Sequence, residues 1–464
     1  MARRGVLPEL DVRIERLAAE GKAIAYAMER VLFVEGVVPG DLVRVQVSKK
    51  KANFMEGYVR ELLSPSPLRI EPPCPHFEQC GGCQWQMLPY TLQLEAKEEQ
   101  VYAQLAHIGG VQADSERHIL GASPTLAYRN KLEFTFSPRG WVTNHTEPDA
   151  PLPPALGFHI PRKFDRVLNI ERCLLQPDLS NTIRNTIRDY ALAHSLSFYD
   201  PKTQTGLLRN LLIRITSTEQ VMVLLVVREE CAAVLELLNF IRTKFPSITS
   251  LLWAVNPKGN DSLYDLEVRC HSGTTVLIEQ LGDFSFEIGA KSFYQTNSKQ
   301  ALTLYHAVRQ LADLKGHETV YDLYTGTGTI ALYLARDAKR VVGIETVPEA
   351  IADAKRNAVR NQITNADFVV GDVLDILSPA FVQTYGKPDV LVTDPPRAGM
   401  HPKVISFLLE LAPQRIVYVS CNPATQARDI ALLKEQYRVL AIQPVDMFPH
   451  TKHVENIALL ARKA

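Results

Sequence analysis

In the C-terminal third of this 464-residue sequence, the residues able to do chemistry stand where short apolar runs end. Cys421 closes the run RIVYVS in Ser420-Cys421-Asn422-Pro423, and Glu455 opens the last run in His453-Val454-Glu455-Asn456-Ile457. Asp394 ends another run in Thr393-Asp394-Pro395-Pro396-Arg397, and Gly326 and Gly328 follow a strand in Asp322-Leu-Tyr-Thr-Gly-Thr-Gly-Thr-Ile330. A thiol at a strand end beside a ligand crevice is placed for nucleophilic attack, and a carboxylate near it for proton removal. Each residue also has a plainer reading: a buried structural thiol for Cys421, a solvated strand end for Glu455, a helix N-cap for Asp394.

The glycine loop lets a ligand approach the backbone where no Cβ stands in the way. Gly326-x-Gly328-x-x-Ala331 fits the dinucleotide fingerprint, and Glu345, at the end of the next run, is the acid expected on a ribose. That pattern alone leaves NAD and S-adenosylmethionine both open. The Asp-Pro-Pro turn decides for the second, because it resembles the (D/N)PP motif of nucleic-acid methyltransferases. Its rigid prolines aim backbone and carboxylate at a planar base. Asp372, after the third run, stands where such enzymes bind the adenine end. Cysteine and acid then acquire a joint purpose. C5 of uracil is a poor nucleophile until a thiolate adds at C6, and the C5 hydrogen must afterwards leave to a base.

Seven cysteines occur, and three of them fall in Cys74-x5-Cys80-Gly-Gly-Cys83. This is unlike the paired spacing of a zinc ribbon. Three close thiols with one distant cysteine suit a [4Fe–4S] cluster, with zinc as the alternative. Cys231 and Cys270 read as packing residues.

These groups need a scaffold. The runs VYDLY, RVVGIE, DFVVGD, DVLVTD and RIVYVS alternate with helical stretches, which implies a parallel sheet covered on both faces. VLAIQPVDMF and VENIALLA add two strands. Residues 1–65 read as short strands punctuated by Gly36, Pro39 and Gly40, a small β-barrel followed by the linker Ser64-Pro65-Ser66-Pro67. Between them, 66–290 read as a central, mostly β domain with a helix at Leu92 to Leu105, a second near Ala232 to Lys244, and an exposed loop from Pro138 to Pro154. The fold class is α/β, with a Rossmann-like C-terminal domain at 291–464. No apolar run is long enough to span a membrane and no leader is evident, so a cytoplasmic location is expected. Lys+Arg and Asp+Glu both total 51, which argues against a general polyanion binder but not against a local basic groove such as Lys49-Lys50-Lys51.

Taken in order, these motifs resemble the RNA uracil-5-methyltransferases that carry an iron–sulfur cluster, typified by bacterial enzymes acting on 23S ribosomal RNA. The likeness runs nearly end to end. It identifies residues 1–65 with an RNA-binding TRAM domain, and Phe293-Tyr294-Gln295-Thr296-Asn297 with the motif that precedes the methyltransferase fold. It implies Cys421 as nucleophile and Glu455 as base. S-adenosylmethionine would contact Gln295, Tyr324, Glu345, Asp372 and Asp394, with Thr329 a further contact in some members. Cys74, Cys80, Cys83 and Cys173 would bind the cluster. The implied partner is RNA, 23S ribosomal RNA before transfer RNA, because tRNA-specific bacterial relatives generally lack the barrel and the cluster; no obligate protein partner is evident. Lys49 to Lys51, Arg129, Lys131, Arg209 and Arg397 are candidate RNA contacts, and Trp85 and Phe77 candidate shields of the cluster. A methyltransferase of other specificity and an idle RNA-binding factor are the competing readings.

Overall fold

The computed structural model describes residues 7–143, 152–161 and 163–464, so part of the expected Pro138–Pro154 loop lies outside the described residues. Six strands form the N-terminal barrel: β1 (Glu9–Arg13), β2 (Arg16–Leu17), β3 (Lys22–Ala27), β4 (Arg30–Glu35), β5 (Leu42–Lys50) and β6 (Phe54–Ser64). Their order is β1-β5-β6-β4-β3-β2, and the chain running straight from β1 into β2 closes the circuit. Alternation drives it: Val43, Val45 and Val47 of β5 point inward onto Leu32, Val34 and Met55.

Helix α1 (Tyr90–Gly109) and strand β7 (Ala113–Glu116) come next. The central sheet contains β8 (Lys131–Ser137), β9 (Ala155–His159), β10 (Val167–Asn169), β11 (Leu208–Ile215), β12 (Val221–Val227), β13 (Ser250–Val255) and β14 (Val268–Gly273). It carries α2 (Asp178–Ala193) and α3 (Ala232–Lys244). The α3 span is the one expected; α2 is not, because Asn and Thr dilute its pattern, yet Ile183, Ile187 and Ala191 form a continuous buried stripe. The hairpin β15 (Val276–Leu281) and β16 (Phe284–Gly289) leads to α4 (Ser298–Ala312).

The C-terminal sheet holds β17 (Thr319–Leu323), β18 (Arg340–Glu345), β19 (Ala366–Val370), β20 (Val390–Thr393), β21 (Arg415–Ser420), β22 (Tyr437–Val445) and β23 (Glu455–Arg462). Helices α5 (Thr329–Ala335), α6 (Pro348–Arg360), α7 (Val373–Ile376), α8 (Pro379–Tyr385), α9 (Pro402–Leu411) and α10 (Pro423–Leu433) connect them. The order is β19-β18-β17-β20-β21-β23-β22-β7, with β17 to β21 parallel and β23 antiparallel to both neighbours. Successive residues serve opposite cores: Val320, Val341 and Val417 face α4 to α6, while Tyr321, Val342 and Tyr418 face α1, α9 and α10.

Strand β7 pairs with β22, so residues 90–116 belong spatially to this sheet although the central strands follow them in sequence. A fully buried ion pair, Lys97 Nζ to Asp446 Oδ1 at 2.6 Å, fastens α1 there. Removing one partner of such a pair costs about 3–5 kcal/mol. Among the described residues no helix is long and apolar enough to cross a membrane.

Candidate active site

Parallel strands end on one edge of a sheet, and ligands of open α/β sheets bind there. Tyr324, Glu345, Asp372, Asp394 and Cys421 all sit at or just beyond the carboxyl ends of β17 to β21. Because β23 runs the other way, its first residue, Glu455, arrives at the same edge. Ser420 pairs with Asn456, which sets Cys421 opposite Glu455, and Thr393 pairs with Tyr418, which brings Asp394 alongside.

The cofactor side is built on strained backbone. Tyr324 has φ 63° and Gly326 and Gly328 have φ 56° and 78°. A Cβ on Gly328 would lie 2.9 Å from Ala354 and 3.0 Å from Phe368, whereas Gly326 faces open space. Glu345 Oε2 accepts the Gly326 amide at 3.1 Å, and Oε1 accepts the Val347 amide at 3.1 Å. The acid expected on a ribose thus also holds the glycine loop. Thr327 Oγ1 reaches the Phe293 carbonyl at 3.4 Å, joining the Gln295 segment to that loop. Asn130 Nδ2 donates to the Gln295 carbonyl at 2.9 Å and so ties that segment to the central domain. Asp372 is exposed and caps α7 through the Leu374 amide at 2.8 Å. Thr329 bonds Tyr305 Oη at 3.1 Å.

The chemical side concentrates buried acids. Burial, then the nearby Asp394, holds the Glu455 carboxyl well above the usual range. Burial raises Asp394 to about 7. Burial first, then Glu455 and Asp394, push the Cys421 thiol up to about 11, against the opposing charge of Arg397. Asp322 is likewise raised to about 7 by burial, although the Thr325 hydroxyl donates to it. His453, 3.4 Å from Arg397 through Nδ1, is drawn down to about 4 by burial and by that guanidinium. Asp322, Tyr305 and His453 belong to this neighbourhood and were not among the expected site residues. Only the fold shows that they converge. A thiol, a base and a second acid around one crevice can add to, and then deprotonate, an electron-poor ring.

The four expected cluster cysteines also meet. Cys74, Cys80, Cys83 and Cys173 line one cavity of ≈ 190 Å³ with Phe77 and Arg129. His76 Nε2 accepts the Glu171 amide at 3.0 Å and ties the cysteine loop to the Cys173 segment, within which Asn181 Oδ1 accepts the Cys173 amide at 2.8 Å. Burial raises Cys80 to about 11 and Cys83 to about 12. Among the described residues no three His, Cys, Asp or Glu side chains are grouped to hold a metal ion.

Several expected contacts fall elsewhere. Arg209 is buried, its guanidinium bound to the Asn256, Lys258 and Asn260 carbonyls and to Asp261, and does not face RNA. Lys131 and Lys49 lie at the surface in ion pairs with Glu133 and Glu56, which leaves both as candidate RNA contacts. Trp85 packs with Val38, Met87 and Leu88 and does not line the cysteine cavity. Cys231 is partly buried against the central core, but Cys270 is exposed.

A family model described as tRNA (Uracil-5-)-methyltransferase matches residues 275–463, and the TRAM domain model matches residues 6–59. An uncharacterized RNA methyltransferase of Bacteroides thetaiotaomicron is 51% identical over 451 residues, covering 96% of this chain and 99% of that protein. The chain belongs to the RNA uracil-5-methyltransferase family. Another relative, an uncharacterized RNA methyltransferase of Chlorobaculum tepidum, is 41% identical over 441 residues, covering 93% of this chain and 91% of that one. The crystal structure of Pyrococcus abyssi tRNA (uracil-54, C5)-methyltransferase in complex with S-adenosyl-L-homocysteine superposes with a TM-score of 0.76. It is 29% identical and covers 97% of this chain and 100% of that one. This RNA uracil-5-methyltransferase has a TRAM domain at its N-terminus.

Proposed function

We propose that this enzyme methylates C5 of a uridine in 23S ribosomal RNA through a covalent adduct between Cys421 and C6. The observation that carries the reading is the register placing Cys421 and Glu455 opposite each other at the crevice edge, with Asp394 alongside. Gln295, Tyr324, Glu345, Asp372 and Asp394 would hold S-adenosylmethionine, which supplies an electrophilic methyl group. The Cys421 thiolate forms a bond to C6, and the C5–C6 electron pair becomes available at C5. After methylation Glu455 takes the C5 proton, the double bond re-forms, and the thiolate leaves. Arg397, beside Cys421, favours the thiolate that the two acids oppose. A uridine within folded RNA must be flipped out to reach this edge.

Cys74, Cys80, Cys83 and Cys173 would hold a [4Fe–4S] cluster. The all-thiol donor set, drawn from two distant segments onto one cavity, supports it. A single zinc ion needs its thiolates about 2.3 Å from one point. Zinc on the same four cysteines is the alternative. The methylation moves no net electrons, so the cluster would act as a fixed crosslink between the cysteine loop and the central sheet.

Transfer RNA is the second reading, favoured by the activity of the Pyrococcus abyssi relative. Mapping 5-methyluridine across the RNA of a strain lacking the protein separates the two. Loss confined to 23S ribosomal RNA supports the first reading, and loss in transfer RNA the second.

A further inference from the structure

The nine residues between β22 and β23 deliver Glu455 to the crevice, and they are held from outside their own sheet. Gln93 of α1 is fully buried and grips His450 by its Oε1, which accepts the His450 amide at 2.9 Å. Its Nε2 lies 3.2 Å from His450 Nδ1 and donates to the Trp85 and Leu88 carbonyls at 3.0 and 2.9 Å. The His450 carbonyl accepts the amides of Gln84 and Trp85 at 2.9 and 3.1 Å. Gln84 Oε1 then accepts the Lys452 amide at 3.3 Å. His450 has φ 66°, a left-handed conformation that a non-glycine residue holds only when its surroundings impose it. From this turn the chain runs through Thr451, whose Oγ1 accepts the His453 amide at 3.3 Å, to Glu455.

Building on the assignment of Glu455 as the base, we propose that Gln93, with Gln84, is a positioning residue for Glu455, clasping the His450 turn so that the carboxylate meets the thiol-bound ring. The clasp has a second consequence. Gln84 follows Cys83 directly, so the cysteine loop and the base are mechanically joined.

The test is the fate of the covalent intermediate on ordinary uridine RNA. Gln93→Met keeps the side chain's length and removes its hydrogen bonds. Misplacing the base without removing it should slow adduct breakdown by roughly 10²-fold, the lower end of what losing a positioned base costs. A methylated protein–RNA band should therefore persist on a denaturing gel, while S-adenosylmethionine affinity and the rate of adduct formation stay at parental values. In a Glu455→Gln background, Gln93→Met should add no further slowing, because both act on one step. Should Gln93→Met fail to fold, Gln84→Ala, which loses only the bonds to Lys452 and Gly81, serves with a smaller effect of the same kind. Adduct formation, adduct breakdown and cofactor affinity all falling together, or all unchanged, overturns the clasp. If Glu455→Gln itself accumulates no adduct, the assignment of the base fails first, and the clasp fails with it.

Discussion

Cys421 leaves β21 directly across from the point where Glu455 enters β23, since Ser420 and Asn456 are register partners. The pairing is antiparallel, unlike those among β17 to β21, and that reversal brings a residue 34 positions later in the chain to the same edge. The sheet register thus sets the proposed nucleophile and proton acceptor at one edge, and the clasped His450 turn fixes the approach of Glu455 to it.

The first expectation concerns the cofactor. Glu345→Ala should weaken S-adenosylmethionine binding by about 1.5–3 kcal/mol, the usual worth of charge-assisted hydrogen bonds. The Gly326 amide also loses its acceptor, so the glycine loop should exchange its amide hydrogens faster. Calorimetry showing unchanged affinity would remove Glu345 from the site.

Stability should depend on pH through Asp322. Its carboxyl is raised by burial from 3.8 to about 7. The folded protein therefore keeps a proton that the unfolded chain releases. The stabilisation is complete below about pH 4 and is lost as pH rises through about 7. Asp322→Asn should leave stability nearly unchanged at pH 4 and raise it at pH 8 by on the order of 3 kcal/mol. Denaturant titrations at the two pH values measure the difference, and an equal effect at both would refute the assignment.

Much of this site is legible in the sequence, because strand ends are marked by apolar runs stopping at Asp394 and Cys421, and a parallel sheet puts such ends on one edge. Burial and backbone sign are not legible. Arg209 looks like any basic residue in a β run, yet carbonyls of the 256–260 loop enclose its guanidinium. The barrel stretch AIAYAMERVLFVEG reads as one of the short strands of the barrel. It breaks into β3 and β4 at Met28 and Glu29, whose φ values of 51° and 57° form a turn usually marked by Asn-Gly. The convergence of Asp322, Asp394 and Glu455 depends on contacts across the fold that no local pattern encodes.

Thiol reactivity should report the surrounding charges. Below a thiol's pKa its thiolate fraction rises about tenfold per pH unit. Cys421, raised to about 11, should be alkylated slowly at pH 7 and faster at each step upward. Glu455→Gln should move the profile to lower pH and Arg397→Gln to higher pH. Mass spectrometry of the peptide carrying Cys421 follows each variant, and shifts in the reverse directions would show that the charges are misassigned.

For the cysteine cavity, protein purified without oxygen should be brown and contain about four iron and four sulfide per chain, as a cubane requires. Cys173→Ser should bleach it, despite its distance in sequence from the other three. Stoichiometric zinc without iron in an anaerobic preparation would contradict the cluster.

The covalent mechanism itself is tested most directly with RNA bearing 5-fluorouridine at the target position. Fluorine replaces the hydrogen that the proposed base Glu455 would remove, so the methylated adduct would not collapse. The parent enzyme should give a denaturation-stable protein–RNA complex, with the crosslink mapping to Cys421, and Cys421→Ala should give neither trapping nor methylation. Trapping that survives in Cys421→Ala, or a crosslink at another residue, would contradict the mechanism.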